Sequence, residues 1–412
     1  MGKKWILVLS GILLVLLLVT SNPSAGATKA PESVKISAVL SLTGPFAPLG
    51  TSAKMAYQIY FDQVNSAGGI YVKEFNKKIP VELKMLDDES DGLKTIFQLE
   101  VANEWGAVAN VGGYGCTSFE VGTVVAEKNK MVWIGPGCSG WTPHQRGIKY
   151  MFSLLNKTPF NSPIVFDVVL SMPEPRPKKV AIFEINQLDC QESTEYWRKA
   201  AEKGGFEIVY HYKYAFGTKD FSAMITGAKA AGAEILLAYP TPPEGMAIIK
   251  QMKELDYSPK LTYWIRAAAS ASFGQALGPL SDYVTLPIEW SNQLRIPGND
   301  EFNAEHQKRF GKLGDPFTGA AYAAAQVLVS AIQKAGTLNR KAIRDAVAAT
   351  DTETVVGHIR FSPQGWVTDQ LCLILQWMNG KQNIVYYNKT GEKYKQQIPK
   401  VDMKWQPAWS AR

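Results

Sequence analysis

The chain has 412 residues, 46% of them hydrophobic and 20% charged, and a formal net charge of +7. This is the composition of a globular protein, and its basic residues are scattered rather than clustered, which argues against a nucleic-acid partner or an anionic membrane surface. Its four Cys (Cys116, Cys138, Cys190 and Cys372) show no C-x-x-C spacing and its four His are far apart, so neither a zinc site nor another cofactor is expected.

The N-terminus points to export. Lys3 and Lys4 precede an apolar run from Trp5 to Val19, and Ala25-Gly26-Ala27 offers small residues in an A-x-A arrangement, as in a secretory signal peptide over residues 1–27. The apolar run, about 15 residues, falls short of the ~20 that span a bilayer. No Cys lies near the cleavage point to carry a lipid anchor, and the expected destination is a bacterial periplasm. Without Lys3 and Lys4 the charge is about +5, and the remaining chain of about 385 residues is long for one core, which suggests two domains. In an oxidising compartment the Cys residues are free to pair.

From Val34 the pattern alternates between strand and helix. "VKISAVLS" (34–41) reads as a buried strand, "LTGPFAPLG" as a loop, and "TSAKMAYQIYFDQVNSA" as a helix stopped by Gly68-Gly69. Strand "VELKMLDD" (81–88), a helix from Leu93 to about Trp105, strand "AVANVGG" (107–113), helix "SFEVGTVVAEKN" and strand "MVWIGP" follow. After "LLNKTP" (154–159) a helix covers Ser162 to Met172, and the rhythm resumes with "KVAIFEI" (179–185), "EILLAYP" (234–240) and "KLTYWIR" (260–266) as strands separated by helices. Alternation of this kind predicts an α/β fold with parallel sheets flanked by helices. "YVTLPIEW" (283–290) reads as a strand feeding a crossover, and three helices between Asn299 and Thr350 return to the first sheet. "GHIRFSPQG" (357–365) and "QLCLILQWMNG" (370–380) are late strands, with a closing hairpin at "IVYYN". The expected division is 34–154 plus 288–360 for one lobe and 155–287 plus 361–400 for the other. The tail, 401–412, carries Trp405 and Trp409, expected to pack on a lobe. Crossings near Leu155, Pro287 and Phe361 imply a hinge with a ligand cleft between the lobes, faced by loops at the carboxyl ends of the strands.

Two loops on neighbouring strands attract chemistry: "GGYGCTSF" (112–119) and "GPGCSGW" (135–141). The second fits the dinucleotide pattern G-x-G-x-x-G. However, it follows about the fourth strand, holds Pro136 in the turn and opens no helix, so nucleotide binding is not expected. Cys138 with His144 would make a thiolate and a base, but no third orienting residue is evident. Small residues with bare N–H groups and hydroxyls suit an anion better, and "TSFE" would start a helix whose first N–H groups favour a carboxylate.

With these residues the chain resembles the branched-chain amino-acid binding proteins of ABC transporters, which are type I periplasmic binding proteins. The resemblance covers about Val34 to Trp377. It is carried jointly by "SLTGPFAPLG", "NSAGGI", Asp87-Asp88, "GPGCS" ending at Arg146-Gly147, "KDFSAMI" and "ETVVGHIRFSPQG". It implies a two-lobed clamshell with three hinge crossings, a small carboxylate as ligand, an inner-membrane ABC permease as partner, and no catalysis. A monomer is expected. By the resemblance the ligand carboxylate meets Cys116 or Thr117 together with Cys138 and Ser139, Leu49 touches the ligand side chain, and Asp189, Thr241 and Arg266 contact the ligand from the second lobe. Tyr114 and Trp141 either line an apolar wall or pack on their own lobe.

The departures from the family matter. Cys116 replaces a hydroxyl donor, and Asp189 replaces a tyrosine. Arg266 stands where the family has the glutamate that pairs with the ligand ammonium. If Arg266 reaches the cleft it favours a second anionic or carbonyl group; otherwise it forms a salt bridge elsewhere. The family's first-lobe disulfide positions match Ser90 and Gly115, so that bridge is absent, and geometry decides whether Cys116 and Cys138 pair instead. Candidate ligands are a branched or aromatic amino acid, an aromatic carboxylate or a dicarboxylate. A ligand sensor of the same fold and a secreted Cys hydrolase are the alternatives.

Overall fold

The computed structural model describes residues 29–412. The predicted signal peptide, 1–27, lies outside the described residues. The first unit runs β1 (Val34–Leu40), α1 (Ala47–Ser66), β2 (Ile70–Val72), β3 (Lys77–Ile79), β4 (Val81–Asp87), α2 (Gly92–Glu104), β5 (Ala109–Gly112), α3 (Cys116–Asn129), β6 (Val132–Gly135) and β7 (Met151–Ser153). Its sheet has the order β4-β1-β5-β6-β7 and every pair is parallel. The hairpin β2-β3 and the strand β7 escape the sequence reading because each is three residues long, too short to show a period.

The second unit runs α4 (Thr158–Asn161), α5 (Ile164–Ser171), β8 (Lys179–Ile185), α6 (Leu188–Gly204), β9 (Glu207–Tyr214), α7 (Ser222–Ala230), β10 (Ile235–Ala238), α8 (Pro242–Glu254), β11 (Leu261–Trp264), α9 (Ala271–Leu277) and β12 (Val284–Ile288). Three helices follow, α10 (Asn299–Phe310), α11 (Pro316–Ala335) and α12 (Arg340–Ala348), then the hairpin β13 (Asp351–Thr354) and β14 (Gly357–Arg360), and finally β15 (Leu373–Met378) and β16 (Lys381–Tyr387). The second sheet has the order β16-β15-β12-β11-β10-β8-β9. It is parallel from β9 to β12 and closes on an antiparallel pair, β15 and β16.

Helix α11 returns to the first sheet. Asp315 caps its start, accepting the Phe317 N–H at 3.2 Å, and Gly336 (φ 65°) ends it. Its Ala-rich surface is buried on nearly every side, which lets it lie close against α1. The chain thus passes between the two sheets three times, after β7, after β12 and after β14. The tail packs on the second unit: the Gln406 N–H donates to the Lys260 carbonyl (2.8 Å), and Trp409 Nε1 donates to the Tyr257 carbonyl (2.9 Å). Among the described residues no helix is long and apolar enough to cross a membrane.

Candidate functional site

The two glycine loops meet edge to edge. The Gly115 N–H donates to the Gly137 carbonyl (3.1 Å) and the Gly137 N–H to the Gly113 carbonyl (2.9 Å). Glycine is needed there: a Cβ on Gly135 would sit 2.7 Å from the Gly112 carbonyl oxygen, and Gly137 has φ 78° with Ser153 Oγ 2.6 Å from where its Cβ would be. Close approach brings Cys116 and Cys138 to a Cα–Cα separation of 4.7 Å, and they form a disulfide. Gly115 (φ 112°) turns the chain into α3, whose first N–H groups, on Cys116, Thr117 and Ser118, find no acceptor among the described residues. Behind the second loop lies a buried lysine. Lys157 Nζ donates to the Cys138 carbonyl and, at 2.6 Å, to Ser153 Oγ. Burial draws its pKa down to about 7.

Across the cavity stands Arg266, directly after β11. Its guanidinium donates to Asp189 Oδ2 (2.8 Å), at the start of α6, and to Gln187 Oε1 (3.1 Å), and stacks 4.3 Å from the Tyr239 ring. Burial opposes its charge, but Asp189 together with Tyr239 and Cys190 outweighs that and raises its pKa, so Arg266 stays a cation. The backbone at Arg266 has φ 89° and ψ −70°, a γ-turn of the strained hand, which costs roughly 1–3 kcal/mol in a non-glycine residue. Strain of that size, held by a buried ion pair, marks a residue placed for a purpose.

The cavity between these walls holds about 460 Å³ of atom-free space, part of it open to solvent. It therefore suits one small solute. Of the residues singled out from the sequence, Leu49, Tyr114, Cys116, Cys138, Ser139, Asp189 and Arg266 line it. The other three do not. Thr117 is exposed on α3. Thr241 caps α8, its hydroxyl donating to Glu244 Oε2 at 2.8 Å and its N–H to the same oxygen at 2.9 Å. Trp141 packs edge-on against Trp366 (5.2 Å) and Phe160 (6.1 Å) outside the cavity. The sequence reading missed the floor: Leu155, Asn156, Pro287, Ile288 and Glu289, from the first two crossings, together with Phe317. The signal was present, since residues flanking a predicted crossing must pass beneath the cleft. Glu289 is 1% exposed, and burial lifts its carboxyl pKa to about 8.

Two contacts hold the walls together beside the cavity. Glu192 of α6 accepts the N–H groups of Trp141 (2.6 Å) and Thr142 (2.9 Å) and the Thr158 hydroxyl (2.9 Å). His144, 2% exposed, donates through Nδ1 to the Gln364 carbonyl at 2.8 Å. Burial, reinforced by Lys157, depresses the His144 pKa to about 3. The unfolded chain takes up that proton near pH 6.5 and the folded one does not until about 3, so His144 drains stability as pH falls across that window. Unfolding free energy should drop by up to about 1.4 kcal/mol per pH unit from this residue alone. His144→Gln should flatten the slope between pH 6 and 4 in urea titrations.

Residues 33–382 match the family described as periplasmic binding protein. The chain belongs to this family. Leu/Ile/Val-binding protein homolog 3 of Brucella melitensis is 25% identical over 364 residues, covering 86% of this chain and 94% of the relative. The leucine-, isoleucine-, valine-, threonine- and alanine-binding protein of Pseudomonas aeruginosa is 22% identical over 356 residues, covering 86% and 92%. Among solved structures, the branched-chain amino acid substrate-binding protein LivJ of Streptococcus pneumoniae, in complex with isoleucine, superposes with a TM-score of 0.77 at 19% identity, covering 86% of this chain and 99% of that one. A solute-binding protein from R. palustris in complex with benzoate reaches 0.73 at 17%, covering 86% and 96%. The family is one of binding proteins rather than enzymes, and the sulfur a hydrolase would need at Cys138 is tied up in the disulfide.

Proposed function

We propose that the protein is a periplasmic monomer that captures one small carboxylate between its lobes and delivers it to an inner-membrane ABC permease. The observation that carries this reading is the disulfide-tied pair of loops, which bring Cys116, at the start of α3, and Ser139 to one cavity, with Lys157 behind the second loop. The ligand carboxylate sits against Cys116 and Ser139. Leu49, Tyr114 and Phe317 take its apolar body. Arg266 is already neutralised by Asp189, so a second anionic group on the ligand gains little, and monocarboxylates are favoured over dicarboxylates.

A thermal-shift screen of amino acids, aromatic acids and dicarboxylic acids tests the reading. A ligand at ~100 times its dissociation constant adds about 2.7 kcal/mol of stability. Stabilisation by uncharged sugars, with none by any carboxylate, sinks it. Closure has its own test. Glu192 reaches across to the loop at Trp141–Thr142, and charge-assisted hydrogen bonds contribute about 1.5–3 kcal/mol each when buried, less at a half-buried site. Glu192→Ala should weaken binding roughly 10-fold by favouring the open form, and small-angle scattering of the liganded variant should show a larger open fraction.

A further inference from the structure

Most polar side chains lining the cavity already have protein partners. Arg266 is paired with Asp189 and Gln187. Asp189 Oδ1 accepts the Cys190 N–H at 3.1 Å. Asn156 donates to the Leu371 carbonyl (3.0 Å), and Asn161 donates to the Asn156 carbonyl (3.2 Å). Glu289 is the exception. It lines the cavity from the crossing after β12, and its Oε1 has no hydrogen-bond partner among the described residues. A buried acceptor left unpaired costs about 1–3 kcal/mol, a cost that a ligand donor reaching it would remove.

We infer that Glu289 is a specificity-determining residue whose Oε1 accepts a hydrogen bond from a donor carried by the ligand beside its carboxylate, an ammonium or a hydroxyl. The inference rests on the proposed carboxylate-binding function and narrows it to amino and hydroxy acids. With Asp189 engaged by Arg266 and the Cys190 N–H, Glu289 is the carboxyl left to meet the ligand. The charge balance supports this. The Arg266–Asp189 pair is neutral, the ligand carboxylate lies at the positive end of α3, and a donor at Glu289 completes the match. A plain carboxylic acid would leave Oε1 unpaired against an apolar ligand body.

The ionisable groups that influence Glu289 are Lys157 from the first crossing, the Tyr114 hydroxyl from the first lobe, and Cys372 next to β15. With its carboxyl pKa near 8, the empty site holds Glu289 largely protonated at pH 7. An ammonium ligand displaces that proton into buffer, and a hydroxyl ligand does not.

The test uses two isosteric series: leucine, 2-hydroxy-4-methylpentanoate and 4-methylpentanoate; and phenylalanine, 3-phenyllactate and 3-phenylpropanoate. Titration calorimetry is run on the wild type, Glu289→Leu and Glu289→Gln. Within a series, the amino or hydroxy member should bind the wild type at least about 10-fold tighter than the acid lacking a donor. Glu289→Leu should erase that preference, while its ligand-free melting temperature holds or rises, because an unpaired buried carboxyl has been removed. A purely structural Glu289 would instead lower it. Glu289→Gln separates the two donors: it loses the amino acid and keeps the hydroxy acid. Equal or tighter binding of the donor-free acids by the wild type, or a preference that survives in Glu289→Leu, overturns the inference and leaves the carboxylate function standing. A wild type that binds none of the six overturns the carboxylate function itself.

Discussion

Arg266→Met should cost the ligand-free protein about 3–5 kcal/mol, measured by urea unfolding, since truncating one partner of a buried ion pair strands the other. Asp189 is 1% exposed and its remaining partners are the N–H and the weakly donating thiol of Cys190. The loss of the cation stacked on Tyr239 adds to the penalty. Binding suffers separately: a stranded carboxylate at the cavity wall repels a carboxylate ligand, and affinity should fall on the order of 100-fold. The double variant Arg266→Met/Asp189→Asn tells the two effects apart. It should recover most of the stability, because no charge is left unpaired, while recovering affinity only in part. A single variant as stable as the wild type would mean that Asp189 is protonated or solvated and that the pair does not organise this wall.

Much of this architecture was legible because it follows from alternation. A buried run such as "ILLA" is apolar on both faces, as a parallel sheet covered by helices requires, and the three helices after β12 contain no strand and so could only return to cover a sheet. The meeting of the loops at Cys116 and Cys138 beside one cavity was legible because each follows a buried strand on adjacent positions. Where the structure places a residue away from the cavity, the cause is physical. Thr241 looked like a ligand contact, yet Thr241 and Glu244 are spaced as a capping box, and that local pairing occupies its hydroxyl. Trp141 has its partner 225 residues further on, in Trp366, a neighbour no local pattern reveals. Glu289 was invisible as a site residue because its role depends on which strands flank β12 and on the absence of a partner, and neither is written in its own neighbourhood.

Reducing the Cys116–Cys138 bridge should lower stability by about 3 kcal/mol, the chain-entropy value for a loop closed across 22 residues. The double variant Cys116→Ser/Cys138→Ser should show the same loss, and the wild type in dithiothreitol should match it, since Cys190 and Cys372 are buried free thiols whose state does not change. The effect on binding should be smaller. The two loops remain joined by the Gly115–Gly137 and Gly137–Gly113 hydrogen bonds, each contributing about 1 kcal/mol, and Lys157 still holds the Cys138 carbonyl. Affinity for a carboxylate should therefore fall by less than about 10-fold while the unfolding midpoint drops sharply. If affinity collapses instead, the bridge itself orients the Cys116 and Ser139 N–H groups, and the sheet edge and Lys157 are too weak to hold them. If neither stability nor affinity changes, the two loops are ordered without the bridge, and the anion site depends on glycine geometry and the buried lysine alone.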